Sequence, residues 1–314
     1  MTAPFAPRRP LGNTGFVATQ LGIGDLADRA VTLADCVATI HRALDAGLNV
    51  IDTAPSYEDG YSEQILGAAL RGRREKLFVI DKIDHHEQPV GPQVTASLQR
   101  LQLDHTDLFV FHGVGTLAAW EGLTQRGGGF DQLADCVAAG QTRFRGVSAH
   151  HPDVVRSAIL SGLCDVVLFP VGPFVDARYI TECLPLARQH QVGTVCFKTF
   201  GAGKLLGDTE GYQRPLSKRP RGKLSSGGAA RAGAPLLPHL GVAECLHYTL
   251  TCDPDVALLG LSFPNEQDAA FAAARAFQPL PAPRLAEIRQ RAEEAMVGKG
   301  ACWWNPAQTQ KVEG

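Results

Sequence analysis

A chain of 314 residues with a formal net charge of -2 carries no basic field to attract nucleic acid or an anionic membrane surface. Hydrophobic content of 45% and charged content of 20% fit a globular protein with a large core, and no run approaches the roughly 18 apolar residues of a membrane span. Eight scattered cysteines without a Cys-x-x-Cys pair read as buried thiols of a reducing compartment, in preference to zinc ligands or disulfides. The first ten residues hold Arg8 and Arg9 but no apolar leader, so a cytoplasmic protein is expected.

In chain order, the Gly12-Asn13 cluster between residues 8–11 and 16–20 predicts a hairpin, placed to plug the bottom of a barrel. Short apolar runs then predict strands near 21–24, 48–52, 77–81, 106–112, 143–147, 165–169, 194–198 and 256–260. Longer amphipathic stretches predict helices near 33–46, 61–71, 91–101, 130–140, 152–161, 178–190, 238–251 and 265–276. Eight such βα units imply an α/β fold, a closed (β/α)8 TIM barrel of parallel strands. A further helix is expected at 283–297, and the tail holds Trp303 and Trp304, which either pack over a rim or cap a helix. Residues 201–235 are rich in Gly, Arg, Ser and Pro and lack apolar periodicity, the mark of a functional or disordered connection. With no linker between separate cores, residues 1–314 are expected to form a single domain. Loops 25–32, 83–90, 113–130 and 201–235 are where specificity is expected, with Asp25, Asp28, His85, His86 and Trp120 as pocket candidates that are not assigned roles.

Four ionisable residues sit at or just beyond the ends of apolar runs. Asp52 and Tyr57 follow Asn49-Val50-Ile51, Lys82 follows Leu77-Phe78-Val79-Ile80-Asp81, and His112 follows Leu108-Phe109-Val110-Phe111. Singly, each has an ordinary structural explanation: a capping Asp, a solvated Lys, a satisfied His, a packing Tyr. Successive parallel strands, however, deliver them to one rim, where a barrel keeps its chemistry. A lysine buried beside Asp52 can stay charged, because the carboxylate offsets its desolvation. That cation favours ionised Tyr57, drawing the phenol from its reference pKa of about 10 toward the working range of a general acid. His112 is then free to orient a carbonyl oxygen.

Asp52-x4-Tyr57, Ser62-Glu63-x2-Leu66-Gly67-x-Ala69-Leu70, Lys82 and His112 together resemble the aldo-keto reductase signature, tetrad included. The resemblance runs from Leu11-Gly12-Asn13-Thr14-Gly15 to about Ala276. Gly127-Gly128-Gly129-Phe130, Gly146-Val147-Ser148-Ala149-His150-His151 and Phe197-Lys198-Thr199-Phe200-Gly201-Ala202-Gly203-Lys204 further resemble a bacterial subgroup. Some of its members end in a ferredoxin-like tail with clustered cysteines. Only Cys302 lies near this C-terminus, so no such tail and no metal centre are expected.

What the resemblance implies is a barrel that binds NADP(H) or NAD(H) across its C-terminal rim without a Rossmann fold. Hydride passes between the nicotinamide and a carbonyl carbon of an aldehyde, ketone or sugar, while Tyr57 exchanges a proton with the oxygen. Cofactor contacts are then expected from Gly24, Ser148, His150, Phe197, Lys198, Thr199, Phe200, Gly201, Gly203, Lys204, Gly260, Ser262 and Gln267. Phe197 matches the position that stacks on the nicotinamide ring, and the Gly201–Lys204 loop would cradle the pyrophosphate through backbone N–H groups. Departures from the family pattern are equally informative. Ser148-Ala149 replaces a Ser-Asn pair that holds the carboxamide, leaving His150 as a substitute, and Leu168 stands where a glutamine often follows. Leu261 and Gln267 replace the Lys and Arg that pair with a 2′-phosphate, which removes charge-assisted hydrogen bonds and opens the site to NADH. Two other functions compete: a redox-sensing regulatory subunit that binds cofactor with little turnover, and a barrel lyase using Lys82 as a Schiff-base nucleophile. The second needs a neutral amine, which Asp52 opposes. Oligomeric state is open.

Overall fold

The structure is a computed structural model that describes residues 5, 6, 8–24, 29, 31–206, 238–261, 264–299, 302, 304 and 305. A two-stranded antiparallel hairpin, β1 (Arg9–Pro10) and β2 (Val17–Ala18), precedes the barrel. The barrel strands are β3 (Leu21–Gly24), β4 (Val50–Asp52), β5 (Phe78–Ile83), β6 (Thr106–Val114), β7 (Thr142–Ala149), β8 (Val166–Pro170), β9 (Gly193–Phe197) and β10 (Val256–Leu259). They pair in parallel in chain order, and β10 closes the ring between β9 and β3. Around them lie α1 (Leu33–Asp45), α2 (Tyr61–Leu70), α3 (Val90–Leu101), α4 (Leu117–Thr124), α5 (Gly129–Ala138) and α6 (Pro152–Leu160). The outer layer continues with α7 (Leu184–Gln189), α8 (Val242–Cys252) and α9 (Pro264–Arg275), followed by the extra C-terminal helix α10 (Ala282–Met296).

Strand alternation sorts the core into two layers. Val50, Phe78, Ile80, Leu108, Val110, Val166, Leu168, Val195, Val256 and Leu258 point inward and fill the barrel. Leu11 and Ala18 of the hairpin, with Phe16 beside them, belong to the same cluster and close its floor. The intervening residues, such as Ile51, Val79, Phe109 and Phe111, face outward against the helices. The barrel interior is therefore a packed core and not a pore.

Close approach of strands fixes one residue type absolutely. A Cβ on Gly146 in β7 would lie 1.9 Å from the carbonyl oxygen of Val166 in β8. Gly146→Ala must therefore force apart a pair of hydrogen-bonded strands, and urea unfolding is expected to show a loss of about 3 kcal/mol or more. A midpoint like that of the wild type would show that the strands do not meet there.

Two elements differ from the sequence expectation. The 113–130 stretch holds α4, which begins where Thr116 accepts a hydrogen bond from Ala119 N–H at 3.1 Å and buries Trp120 and Leu123. Trp120 packs edge-on against Phe130 as a core residue, with ring centroids 5.1 Å apart. The helix expected at 178–190 opens with a wide π-helical turn, Tyr179–Cys183, before α7. Pro185, which has no N–H, falls where an α-helical ladder would need a donor. Among the described residues, no helix is long and apolar enough to cross a membrane.

Candidate active site

Period-two alternation, counted from the inward residues Val50, Ile80 and Val110, puts Asp52, Lys82 and His112 on the inner face at the upper ends of three adjacent strands. The ammonium of Lys82 donates to Asp52 Oδ2 at 2.6 Å and to the Thr53 carbonyl at 2.6 Å. Both side chains are about 3% exposed, so the pair is dry and each charge depends on the other. Burial pulls the Lys82 ammonium down, but the Asp52 carboxylate and then Tyr57 outweigh it and hold it above the ordinary lysine value. The upward shift favours the charged ammonium and opposes a nucleophilic amine for a Schiff base.

Tyr57 reaches the same place from a loop. Pro55 ends β4's path, and Glu58, Asp59 and Gly60 follow in consecutive left-handed conformations that reverse the chain into α2. Lys82 Nζ lies 4.5 Å from the centre of the Tyr57 ring, and a hydrogen bond joins the two side chains. The His112 imidazole stands edge-on to the same ring, with centroids 5.8 Å apart. Asp52, Tyr57, Lys82 and His112 are thus one cluster at the barrel mouth.

Asp84, which the sequence analysis does not single out, completes it. Its Oδ1 accepts from His112 Nδ1 at 2.5 Å, and its Oδ2 accepts from the Ser56 N–H at 2.8 Å. Burial raises the Asp84 carboxyl, but the His112 contacts and the Ser56 N–H outweigh it and bring it down to about 2. His112 itself is lowered by burial, with Lys82 and Lys198 adding to the shift and Asp84 opposing it. A signal exists in the sequence: Asp84 lies two residues past Lys82, so the alternation that turns one inward turns the other inward too.

Behind the strand lies a second acidic cluster. Asp81 faces outward, accepts from the Lys82 N–H at 2.8 Å and meets Glu63 of α2, which Arg100 of α3 holds with Nη2 at 3.0 Å. Burial, then the Glu63 charge, push the Asp81 carboxyl well above the ordinary range. The cluster braces α2 and α3 against β5 and does not reach the mouth.

The residues expected at the cofactor occupy the other half of the rim. Ser148 closes β7, fully buried, beside Leu168, and His150 follows with its ring 5.1 Å from that of Phe197 at the end of β9. Burial first, then Lys198 and His112, keep His150 neutral. Lys198 adopts a left-handed φ of 73°, a conformation uncommon outside glycine. Its Nζ lies 5.5 Å from the Phe197 ring centre and 5.3 Å from that of buried Trp304, which brings the tail to this rim. Thr199 is buried, and its Oγ1 has no hydrogen-bond partner among the described residues. Phe200 belongs to the core. Gly24 ends β3 against Asp52, and Gly260 lies beside it, where a Cβ would stand 3.7 Å from the Gly24 carbonyl.

Four of the residues expected at the cofactor have partners within the protein. The N–H groups of Gly201 and Gly203 close their own turn on the Lys198 and Phe200 carbonyls at 2.9 and 3.0 Å. Lys204 is buried with Nζ on the Lys299 carbonyl, while Lys299 Nζ returns to the Lys204 carbonyl at 2.7 Å. That reciprocal clasp ties the 201–206 turn to the tail. Gln267 is fully buried, its amide donating to the Thr39 carbonyl at 2.8 Å and to Leu261 O at 3.3 Å, so it points into the protein. Ser262, Asp25, Asp28, Trp303 and residues 207–237 lie outside the described residues.

A closed parallel barrel with ionisable side chains gathered on its upper rim defines an enzyme of the α/β-barrel class. The sequence profile of the aldo/keto reductase family matches residues 18–269, and the chain belongs to that family of oxidoreductases. It is similar to an uncharacterized oxidoreductase, YqkF, of Bacillus subtilis (strain 168), 26% identical over 278 residues that cover 80% of this chain and 84% of that one. It is also similar to the methylglyoxal reductase YeaE of Escherichia coli (strain K12), 35% identical over 200 residues, 62% of this chain and 68% of that protein. Among solved structures, an aldo-keto reductase from Klebsiella pneumoniae in complex with NADPH superposes with a TM-score of 0.66. The two are 20% identical, with 91% of this chain and 95% of that chain covered, a likeness of fold.

Proposed function

We propose that the chain transfers hydride between NAD(P)(H) and a small carbonyl or alcohol substrate, with Tyr57 as the general acid and base. The observation that carries this reading is the Lys82 ammonium, bound at 2.6 Å to Asp52 and lying against the Tyr57 ring in a site 3% exposed. A fixed cation beside a phenol stabilises its ionised form, and burial strengthens the effect. Tyr57 then gives its proton to a carbonyl oxygen in reduction, or takes one from an alcohol in oxidation. Asp52 keeps Lys82 charged and fixed in place.

The residues on the other half of the rim fit a nicotinamide cofactor. Phe197 offers a half-buried aromatic face, and the unpartnered Thr199 hydroxyl beside it suits a polar ligand. Phe197, His150 and Ser148 would hold the nicotinamide end, with Lys198 and Thr199 next to them. When bound, such a cofactor supplies or accepts the hydride.

Steady-state assays with NADH and NADPH against aldehydes, ketones, sugars and methylglyoxal test the reading. Turnover is expected, and tight cofactor binding without turnover on any of them would replace the enzyme with a sensor. Gln267 donates its amide hydrogens to protein carbonyls and Leu261 is a buried apolar residue, which supports a site without charged partners for a 2′-phosphate at these two positions. Fluorescence titration is therefore expected to show NADH binding at least as well as NADPH, and a preference for NADPH of about a hundredfold would end that expectation.

A further inference from the structure

Asp84 touches two regions of the rim at once: the imidazole of His112 through Oδ1 and the chain beside Tyr57 through the Ser56 N–H. We propose that Asp84 is a positioning residue that fixes His112 as its Nδ1–H tautomer, leaving a bare Nε2 to accept a hydrogen bond from a hydroxyl substrate, an alcohol or a sugar hemiacetal. This rests on the carbonyl–alcohol reading of the site and names the partner its resting state is shaped for.

An ionised carboxylate only accepts hydrogen bonds, so the shared hydrogen must sit on Nδ1. Asp84 is ionised throughout the working range, with its carboxyl at about 2. The imidazole is neutral near pH 7, since its pKa lies below the ordinary 6.5. Nε2 has no hydrogen-bond partner among the described residues. The groups around the ring are Asp84 and Lys82 from β5 and its continuation, Tyr57 from the β4–α2 loop, His150 after β7 and Lys198 after β9. His86 adds a contact of 2.9 Å from its Nε2 to the His112 carbonyl oxygen, not to the ring. Burial first, then the Lys82 and Lys198 cations, thus oppose protonation, and the Asp84 carboxylate favours it. A bare Nε2 repels a carbonyl lone pair but accepts from an O–H. A carbonyl oxygen, which Tyr57 can still serve as donor, is held better once Nε2 also gains a proton, so His112 is an acceptor in its neutral form and a donor in acid.

Nitrogen-15 spectra of histidine-labelled protein, with His112→Gln identifying the resonances, test this without any turnover. At pH 7 the wild type is expected to show the Nδ1–H tautomer. In Asp84→Asn, whose amide can donate as well as accept, an Nε2–H population is expected. A wild-type Nε2–H resonance would overturn the proposal even if Asp84→Asn failed to fold. Kinetics supply the second arm, with methylglyoxal and NADH or NADPH as probes. The rise in kcat/KM as His112 gains its proton is expected below pH 6.5 in the wild type. Because Asp84 raises the His112 pKa, its loss should move that rise to lower pH, with an overall fall of about 10- to 100-fold. An equal fall with the midpoint unmoved marks a purely structural role and refutes the assignment.

Discussion

Tyr57→Phe is expected to lower kcat by about 10²- to 10⁴-fold while leaving the dissociation constant for NADH or NADPH unchanged. The substitution removes one oxygen and keeps the ring that Lys82 and His112 pack against. Of the groups around the mouth, Lys82 is fixed as a cation by Asp52, and His112 is held by Asp84. On the proposed reading the phenol, lying against the Lys82 ammonium, is the group that releases and recovers a proton. Rapid-mixing kinetics should show the loss in the chemical step. A kcat within about tenfold of the wild type would move the proton transfer to another residue and end the reading of the site.

Lys82→Met is expected to cost more, because it removes chemistry and stability together. Loss of a preorganised charge at a reacting oxygen typically lowers kcat by about 10²- to 10³-fold. It also leaves the Asp52 carboxylate, 4% exposed, without its ammonium, and breaking a buried pair from one side costs about 3–5 kcal/mol. Urea melts of Lys82→Met and of Asp52→Asn combined with Lys82→Met separate the two effects. The double variant should regain some of the stability and none of the turnover. The sign of the pH dependence follows from the raised lysine. Its contribution is fully present below the unfolded value of 10.5 and is lost as pH climbs toward the higher folded value. The wild type should therefore lose its margin over Lys82→Met in strong alkali, and a margin that is constant with pH would show that the pair carries none of it.

Much of this architecture is legible before any coordinates. Strand period and apolar runs locate all eight barrel strands to within a few residues, because a strand inside a barrel is buried on both faces and shows as a continuous apolar run. The clustering of Asp52, Lys82 and His112 follows from the same alternation. What is not legible depends on side-chain commitments across the fold. Gln267 reads as a rim residue by position, yet its side chain is fully buried and its amide nitrogen donates to carbonyls of Thr39 in α1 and of Leu261 just past β10. Gly201 and Gly203 read as an anion cradle, yet their N–H groups close the turn that holds them. Trp120 reads as a loop aromatic because a short helix of eight residues has little periodicity to reveal it. Asp84 is within reach of the sequence, since counting two residues on from Lys82 places it.

The division of the rim has a consequence for how such a protein diversifies. Asp52, Tyr57, Lys82, Asp84 and His112 all hang from β4 to β6 and the chain between them, bound mainly to one another. The Phe197–Lys204 stretch and the tail that clasps it belong to the opposite arc. Substitutions along that arc can change which ligand is held without touching the hydrogen bonds that tie Asp52 to Lys82 and Asp84 to His112.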